Sequence, residues 1–229
     1  MNEPRLSIVI PTLDEAGEID ARLAALQPLR ERGCEIVVAD GGSRDATVAL
    51  AARHADRVIA SPTGRAMQMN AGARVACGQW LLFLHADTCL PPRADRLIAA
   101  ALSGRHRWGR FDIRLAGRPW PLRMIALGMN LRSRLTGIAT GDQALFMTRE
   151  VFEKLNGFPE QPLMEDIEMS KRLKRVSPPA CLHDRVVSSG RRWERQGVWR
   201  TIWQMWRLRF RYWRGVDSQR LANEYRDVR

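Results

Sequence analysis

Four short apolar runs mark the N-terminal part of the chain: "LSIVIPT" at 6–12, "EIVVAD" at 35–40, "RVIAS" at 57–61 and "QWLLFLHAD" at 79–87. Each is β-branched or continuously apolar, as a strand buried on both faces must be. The segments between them change period. Ile19, Leu23 and Leu26 recur at helical spacing within 14–33, with acids early and Arg30 and Arg32 late, and Gly33 ends the segment. "GGSRDATVALAARHA" at 41–55 turns into a second helix that Ser43 or Asp45 can cap, and "GRAMQMNAGARVAC" at 64–77 reads as a third. Strands alternating with helices require a parallel sheet joined by right-handed crossovers. The expected class is therefore α/β: a Rossmann-like, mostly parallel sheet with flanking helices. In such sheets ligands lie beyond the carboxyl ends of the strands, so the residues that end the runs are the first functional candidates.

The remainder is less regular. A helix is expected at 93–104. "RWGRFDIRLAG" at 107–117 alternates like a strand at a sheet edge, and from 119 to 140 the pattern blurs. "DQALFMTREVFEKLNGF" at 142–158 gives a strand and a short helix closed by Gly157, "EDIEMSKRLKR" at 165–175 a helix, and "ACLHDRVVSSG" at 180–190 a last strand. Residues 1–192 read as one domain and 193–229 as a basic, aromatic helical extension packed on it. In that extension Trp199, Ile202, Trp203, Trp206, Phe210 and Trp213 share one face, and Arg200, Arg207, Arg211 and Arg214 gather on its flank. The expectation is that the Trp face packs on the core and leaves a basic surface that touches anionic lipid. Leu208 and Met205 lie off the main face, the pattern of a helix covered on two sides, as in a homodimer.

Composition narrows the partners. The chain has 229 residues, 37 of them Lys or Arg against 25 Asp or Glu, a net charge of +12. That balance suits an anionic partner or, more plainly, an Arg-rich solvated surface. The four cysteines are scattered and form no C-x-x-C pair, which argues against a zinc site or a disulfide framework and fits a reducing cytoplasm. No basic leader precedes a long apolar stretch, and no apolar run reaches transmembrane length. The expected location is cytoplasmic, with a peripheral position on the inner membrane face as its one elaboration.

Four places carry chemistry, each with a plainer alternative. Asp40 ends the second strand before Gly41-Gly42-Ser43, where it either reads a base or ribose or simply organises the turn. Asp87 ends the fourth, after His85 and Ala86. One strand-end carboxylate is enough to seat Mg²⁺ or Mn²⁺ on a diphosphate, and the alternative is a cap on the turn into Pro91-Pro92. Glu165 and Asp166 open an apolar helix, either favouring its dipole or presenting Asp166 to a cleft as a general base. Arg191 and Arg192 follow a strand and a glycine, either binding phosphate or lining a solvated basic loop.

In order, "SIVIPTLDE", "VVADGGSRDAT", "GRAMQMNAGA", "LLFLHADT", "TGDQALF" and "MEDIEMSKRL" resemble the family 2 glycosyltransferases of GT-A fold, over about residues 5–195. The closest likeness is to a bacterial subgroup labelled as arsenosugar-biosynthesis-type glycosyltransferases, through "GRAMQMNAGA", "HADT" and "SGRRWERQGVWRT". The resemblance implies inverting, metal-dependent transfer of a sugar from a nucleotide-diphosphate sugar to an acceptor hydroxyl. Pro11, Thr12 and Glu15 would line the nucleoside pocket and Asp40 would read the base. Arg65 and the Asn70–Gly72 segment would lie near ribose and diphosphate, with Arg191 and Arg192 on the donor. Asp87 would be the last acid of the family's metal-binding D-x-D, whose first acid is missing here and replaced by His85. Gly141, Asp142, Gln143 and Glu165 would contact acceptor or sugar, and Asp166 would be the catalytic base. A narrower alternative is a polyprenyl-phosphate glycosyltransferase working at the membrane surface. Two other classes rank lower. A nucleotidyltransferase should carry a Gly-rich basic loop after the first strand, where this chain has the acidic "PTLDEAGE"; a nucleic-acid-binding module finds support only in the tail.

Overall fold

The computed structural model describes residues 5–117 and 119–226, the side chains of Arg192, Arg195, Gln196 and Arg226 excepted. The chain runs β1 (Leu6–Thr12), α1 (Ile19–Ala24), α2 (Gln27–Glu31), β2 (Glu35–Asp40), α3 (Thr47–Ala51), β3 (Arg57–Ala60), α4 (Arg65–Val75), β4 (Trp80–Phe83), β5 (Thr88–Cys89) and α5 (Ala94–Leu102). It continues through β6 (Trp108–Leu115), α6 (Pro121–Thr136), a 3₁₀ turn (Gly141–Gln143), β7 (Phe146–Thr148), α7 (Arg149–Lys154), α8 (Glu165–Lys174), β8 (Ala180–Ser188), α9 (Arg191–Gln196), α10 (Val198–Trp213) and α11 (Ser218–Arg226). The strands form one sheet in the order β3-β2-β1-β4-β7-β6-β8-β5. β3, β2, β1 and β4 are parallel, as the alternation of elements predicts. Beyond β4 the sheet is mixed: β7 is antiparallel to both β4 and β6, β8 runs parallel to β6, and β5 is antiparallel to β8.

The runs of β1, β2 and β4 are buried on both faces with period two, whereas β3, expected to be equally buried, is half-exposed because it forms the edge of the sheet. Ile8, Ile10, Ile36, Val38 and Leu82 enter one core cluster; Val9, Val37, Leu81 and Phe83 enter the other. Full burial of such a side chain contributes about 1.5–3 kcal/mol. The second cluster is closed by α4, which approaches β1 at Gly72: a Cβ there would stand 2.4 Å from Val9 Cγ1. The four cysteines are free.

Four further expectations are corrected. The helix expected at 14–33 is two, α1 and α2, because Pro28 stands in the first turn of α2 and has no N–H to continue α1. β6 is interior, between β7 and β8, although Arg110 and Asp112 give it an edge-like alternation. Those two charges are buried against each other, and Asp112 also accepts from Arg134 of α6 at 2.7 Å. The blurred stretch is α6, blurred because both faces are apolar: Leu122 and Ala126 face the core while Met124, Leu127 and Leu131 face outward. The tail is three helices, broken at Gly197 and Gly215, both at positive φ. Its Trp face does not pack on the core. α10 instead buries Thr201 and Leu208, the latter against Met164, Ile167 and Leu221.

Candidate active site

At the carboxyl ends of β1 and β2 the register sets Thr12 beside Asp40. The two following loops are laced together. Asp14 N–H donates to Ser43 Oγ (2.9 Å), Arg44 N–H to Asp14 Oδ1 (2.8 Å), Glu15 N–H to Thr47 Oγ1 (2.8 Å) and Ala16 N–H to Asp45 Oδ2 (3.1 Å). Asp40 organises its own turn: Oδ2 accepts from Gly42 and Ser43 N–H, both at 2.9 Å, and Oδ1 from the Ser43 hydroxyl. Gln68 of α4, which sequence reasoning passed over, ties the two strand ends by donating to the carbonyls of Thr12 (2.6 Å) and Ala39 (3.0 Å). Pro11, Thr12, Glu15 and Asp40 thus share one rim of the sheet.

The second group forms where β4 ends. His85 Nδ1 lies 3.1 Å from Asp142 Oδ1. Its Nε2 is buried with no hydrogen-bond partner among the described residues, under Gly141, where a Cβ would come within 2.4 Å of that nitrogen. Only glycine fits there, and the Gly141 N–H turns toward α8, donating to Asp166 Oδ2 at 2.8 Å. Asp166 Oδ1 accepts from Ile167 N–H at 2.7 Å. Next to it Glu165 is buried, with Arg65 Nη1 3.7 Å from its Oε1. Burial pushes the carboxyls of both Glu165 and Asp166 above the usual carboxylate range; the Arg65 charge and, for Asp166, the Gly141 N–H pull the other way without winning. Burial also disfavours the Arg65 charge, but Glu165, Tyr225, Asp142 and Asp166 outweigh it and hold the guanidinium above its ordinary value. Two non-glycine residues at positive φ bracket this group, Ala144 just after the 3₁₀ turn and Met164 just before Glu165, and such backbone positions concentrate where geometry is over-determined for function.

Arg132 of α6 carried no recognisable signal in the blurred segment. Its Nη1 and Nη2 are buried with no hydrogen-bond partner among the described residues. Burial lowers its pKa, Asp166 opposes that shift and Arg110 adds to it. A desolvated guanidinium with free donors, in the field of Asp166, is a ready receiver for an anionic group.

The other candidates separate. Asp87 follows His85 on the turn into β5, and its Oδ1 accepts from Thr88 Oγ1 at 3.2 Å. Among the described residues no three His, Cys, Asp or Glu side chains form a metal cluster. This donor set fits a cation held by one carboxylate and completed by a substrate's oxygens, and does not fit an all-protein cage. Asn70 and Gln143 have structural duties. The Asn70 amide clamps Phe158, accepting its N–H at 2.8 Å and donating to its carbonyl at 2.9 Å. Gln143 is fully buried beneath the 3₁₀ turn, donating to Ser133 Oγ at 3.1 Å, which takes it out of an acceptor's reach. Gly72 is the packing position on Val9. Arg191 is turned to Glu18 at 2.9 Å. The Arg192 side chain lies outside the described residues.

The sequence profile described as glycosyl transferase family 2 matches residues 7–155, from β1 through α7. The chain belongs to that family. A mycobacterial relative, the PGL/p-HBAD biosynthesis glycosyltransferase of Mycobacterium bovis, is 35% identical over 113 residues, 46% of this chain and 44% of its own length. The chain therefore spans less than half the length of that curated relative. The GT-A fold of the family 2 chain is seen again in the structure of Staphylococcus aureus TarS 1–349 (TM-score 0.65, 18% identity, covering 81% of this chain and 60% of that one). It recurs in the mannosyltransferase PcManGT of Pyrobaculum calidifontis, determined with GDP-Man and Mn²⁺ (TM-score 0.61, 21% identity, 82% and 57% coverage).

Proposed function

We propose that this family 2 chain transfers a sugar from a nucleotide-diphosphate donor to an acceptor hydroxyl, with inversion at the anomeric carbon. The observation that carries the reading is the Glu165-Asp166 pair: two carboxyls of raised pKa, one anchored on the Gly141 N–H and the other facing Arg65, beside the end of β4. Asp166 acts as general base on the acceptor hydroxyl, a task for which a carboxylate above its ordinary range is better matched to neutral pH. A single displacement from the face opposite the leaving diphosphate inverts the centre. Pro11, Thr12, Glu15 and Asp40 hold the nucleoside, with Asp40 doing so from the turn it already organises. Arg65 neutralises charge near the sugar, and Arg132 receives an anionic group of the donor or acceptor. Asp142, held against His85, lines the sugar side.

Asp87 would hold a divalent cation, Mg²⁺ or Mn²⁺, in company with the donor diphosphate, and the Mn²⁺ and GDP-Man in PcManGT support that assignment. Such an ion supplies Lewis-acid stabilisation of the departing diphosphate. Incubation with a panel of nucleotide-diphosphate sugars and Mn²⁺, read by release of nucleoside diphosphate, tests the reading. One donor should be turned over by the native chain and not by Asp166→Asn, and NMR of the product should show an inverted anomeric centre. Turnover of none, together with thermal stabilisation by oligonucleotides and not by nucleotides, would overturn it.

A further inference from the structure

Outward from the site, two helices carry matching stripes. On α6 and the residue before it, Trp120, Met124, Leu127, Leu131 and Leu135 follow one another at three- and four-residue spacing. On α10 the stripe is Trp199, Trp203, Trp206, Phe210 and Trp213. Every one of these side chains is between 54% and 78% exposed. Elsewhere among the described residues only Leu13, Val48 and Val176 are large exposed hydrophobics, so the apolar surface is concentrated on these two elements. The helices are tied to neighbouring parts of the fold. Leu122 at the start of α6 packs at Gly117 and Gly190, next to the Glu194 carboxylate of α9, and α9 leads directly into α10. Ile138, just past α6, joins the cluster that buries Leu208 of α10.

We propose that α6 and α10 together form a docking surface for an anionic lipid bilayer. Exposed apolar patches of this extent mark interaction sites, and tryptophans flanked by arginines suit the interface between acyl chains and headgroups. Charge chooses the occupant. Arg132 and Arg134 of α6 turn inward, the first with its Nη atoms buried and the second onto Asp112. Arg123 on α6 and Arg200 and Arg209 on α10, with Arg207 and Arg211 beside Glu224, leave this surface net positive, and neither helix contains an acid. A second copy apposed through the same surface would set these arginines against themselves, whereas an anionic headgroup layer complements them. At the edge of the α10 stripe, Arg200, Trp203, Gln204, Arg207, Leu208 and Glu224 line a shallow, mostly apolar pocket of about 220 Å³ in which Arg207 is paired with Glu224. No helix among the described residues is long and apolar enough to cross a membrane, so the contact is interfacial. The surface depends on no step of the proposed reaction. It is backed, through Leu208, by Met164 and Ile167, which flank Glu165 and Asp166.

Sedimentation of the full chain with extruded vesicles tests this, using phosphatidylcholine alone or mixed with phosphatidylglycerol, at low and high salt. The chain should pellet with the mixed vesicles, and high salt should release it. Trp203→Ser/Trp206→Ser on α10 and Leu127→Ser/Leu131→Ser on α6 should each cut the bound fraction at least tenfold while keeping the melting temperature, because the replaced side chains are exposed. Arg200→Glu/Arg214→Glu should do the same and leaves intact the Arg207 and Arg211 pairs with Glu224 that fasten α11. Equal recovery with neutral and mixed vesicles, or an α6 variant that binds like the native chain, would overturn the proposal. So would a salt-stable dimer in sedimentation velocity that the same stripe variants dissociate, with no vesicle binding.

Discussion

Asp166 decides between a helix-terminus residue and a base, and its two roles predict opposite signs. Its carboxyl is raised in the folded chain, so between the ordinary carboxylate pKa and the raised one the folded state binds more protons than the unfolded. Stability therefore falls as pH rises through that window, and the charged form costs stability at neutral pH. Asp166→Asn should raise the melting temperature at pH 7, a gain that fades as pH drops toward about 3.9, while kcat falls on the order of 10²- to 10⁴-fold. A lower melting temperature with kcat retained would make Asp166 a simple dipole partner. Arg132→Gln follows the same logic. It removes a buried cation without a partner among the described residues, so the fold should not lose stability, yet KM for the substrate that lends the anion should rise about ten- to hundredfold. Titration with nucleoside diphosphate assigns the loss to donor or acceptor, and unchanged kinetics with a lower melting temperature would make the residue structural. At this scale the sequence showed the acids well, because strand ends and helix starts are legible. It did not show Arg132, whose meaning lies in what fails to reach it, nor that Asn70 and Gln143 spend their amides on backbone and hydroxyl partners of the fold.

Among the elements, the pairing of β6 with α6 holds the site in place. β7 pairs with β6 only at Trp108 and Gly109, which leaves the upper part of β6 without a strand on that side. Asn130 of α6 fills in: its Oδ1 accepts from Ile113 N–H at 2.8 Å and its Nδ2 donates to Ile113 C=O at 3.0 Å. Gln143 is anchored on the same helix through Ser133, and the 3₁₀ turn it closes carries the Gly141 N–H to Asp166. Asn130→Ala should thus cost about 2–6 kcal/mol in chemical denaturation, since each of the two backbone groups left unpaired costs about 1–3. It should also lower kcat through the displaced turn. Normal stability would mean that water replaces the amide. Sequence pattern could not place these elements. A strand with Arg110 and Asp112 in alternation reads as solvated unless its ion partners are known, and a helix apolar on both sides loses the 3.6-residue period that reveals helices. The reversal of α10 has a related cause. The Trp stripe was legible, but which face a helix buries depends on the cluster offered to it, here Met164, Ile167 and Leu221 receiving Leu208.

For the whole molecule, the sheet divides the labour. Its parallel half ends in the laced loops after β1 and β2, and its mixed half begins at β7 beside β4 and supports the acidic pair. In the proposed reaction a nucleotide-diphosphate donor would bridge these halves, and Asp87, on the turn between β4 and β5, stands where they meet. Ligand that binds only the folded chain stabilises it by about 2.7 kcal/mol at a hundredfold excess over Kd, so thermal shift reports the bridge directly. UDP or GDP should raise the melting temperature further with Mn²⁺ than without it. Among the described residues the Asp87 side chain makes one hydrogen bond, accepted from the neighbouring Thr88 hydroxyl, so Asp87→Ala should unfold at the native temperature when no ligand is added. It should keep the shift given by nucleotide alone, because the base and ribose contacts proposed above lie on the β1–β2 rim, and lose the increment that Mn²⁺ adds. If the increment survives in Asp87→Ala, the cation sits elsewhere and the turn after β4 is only a turn. If nucleotide gives no shift even with Mn²⁺, the two halves of the sheet are not joined by a donor, and the reading of the site fails with the bridge.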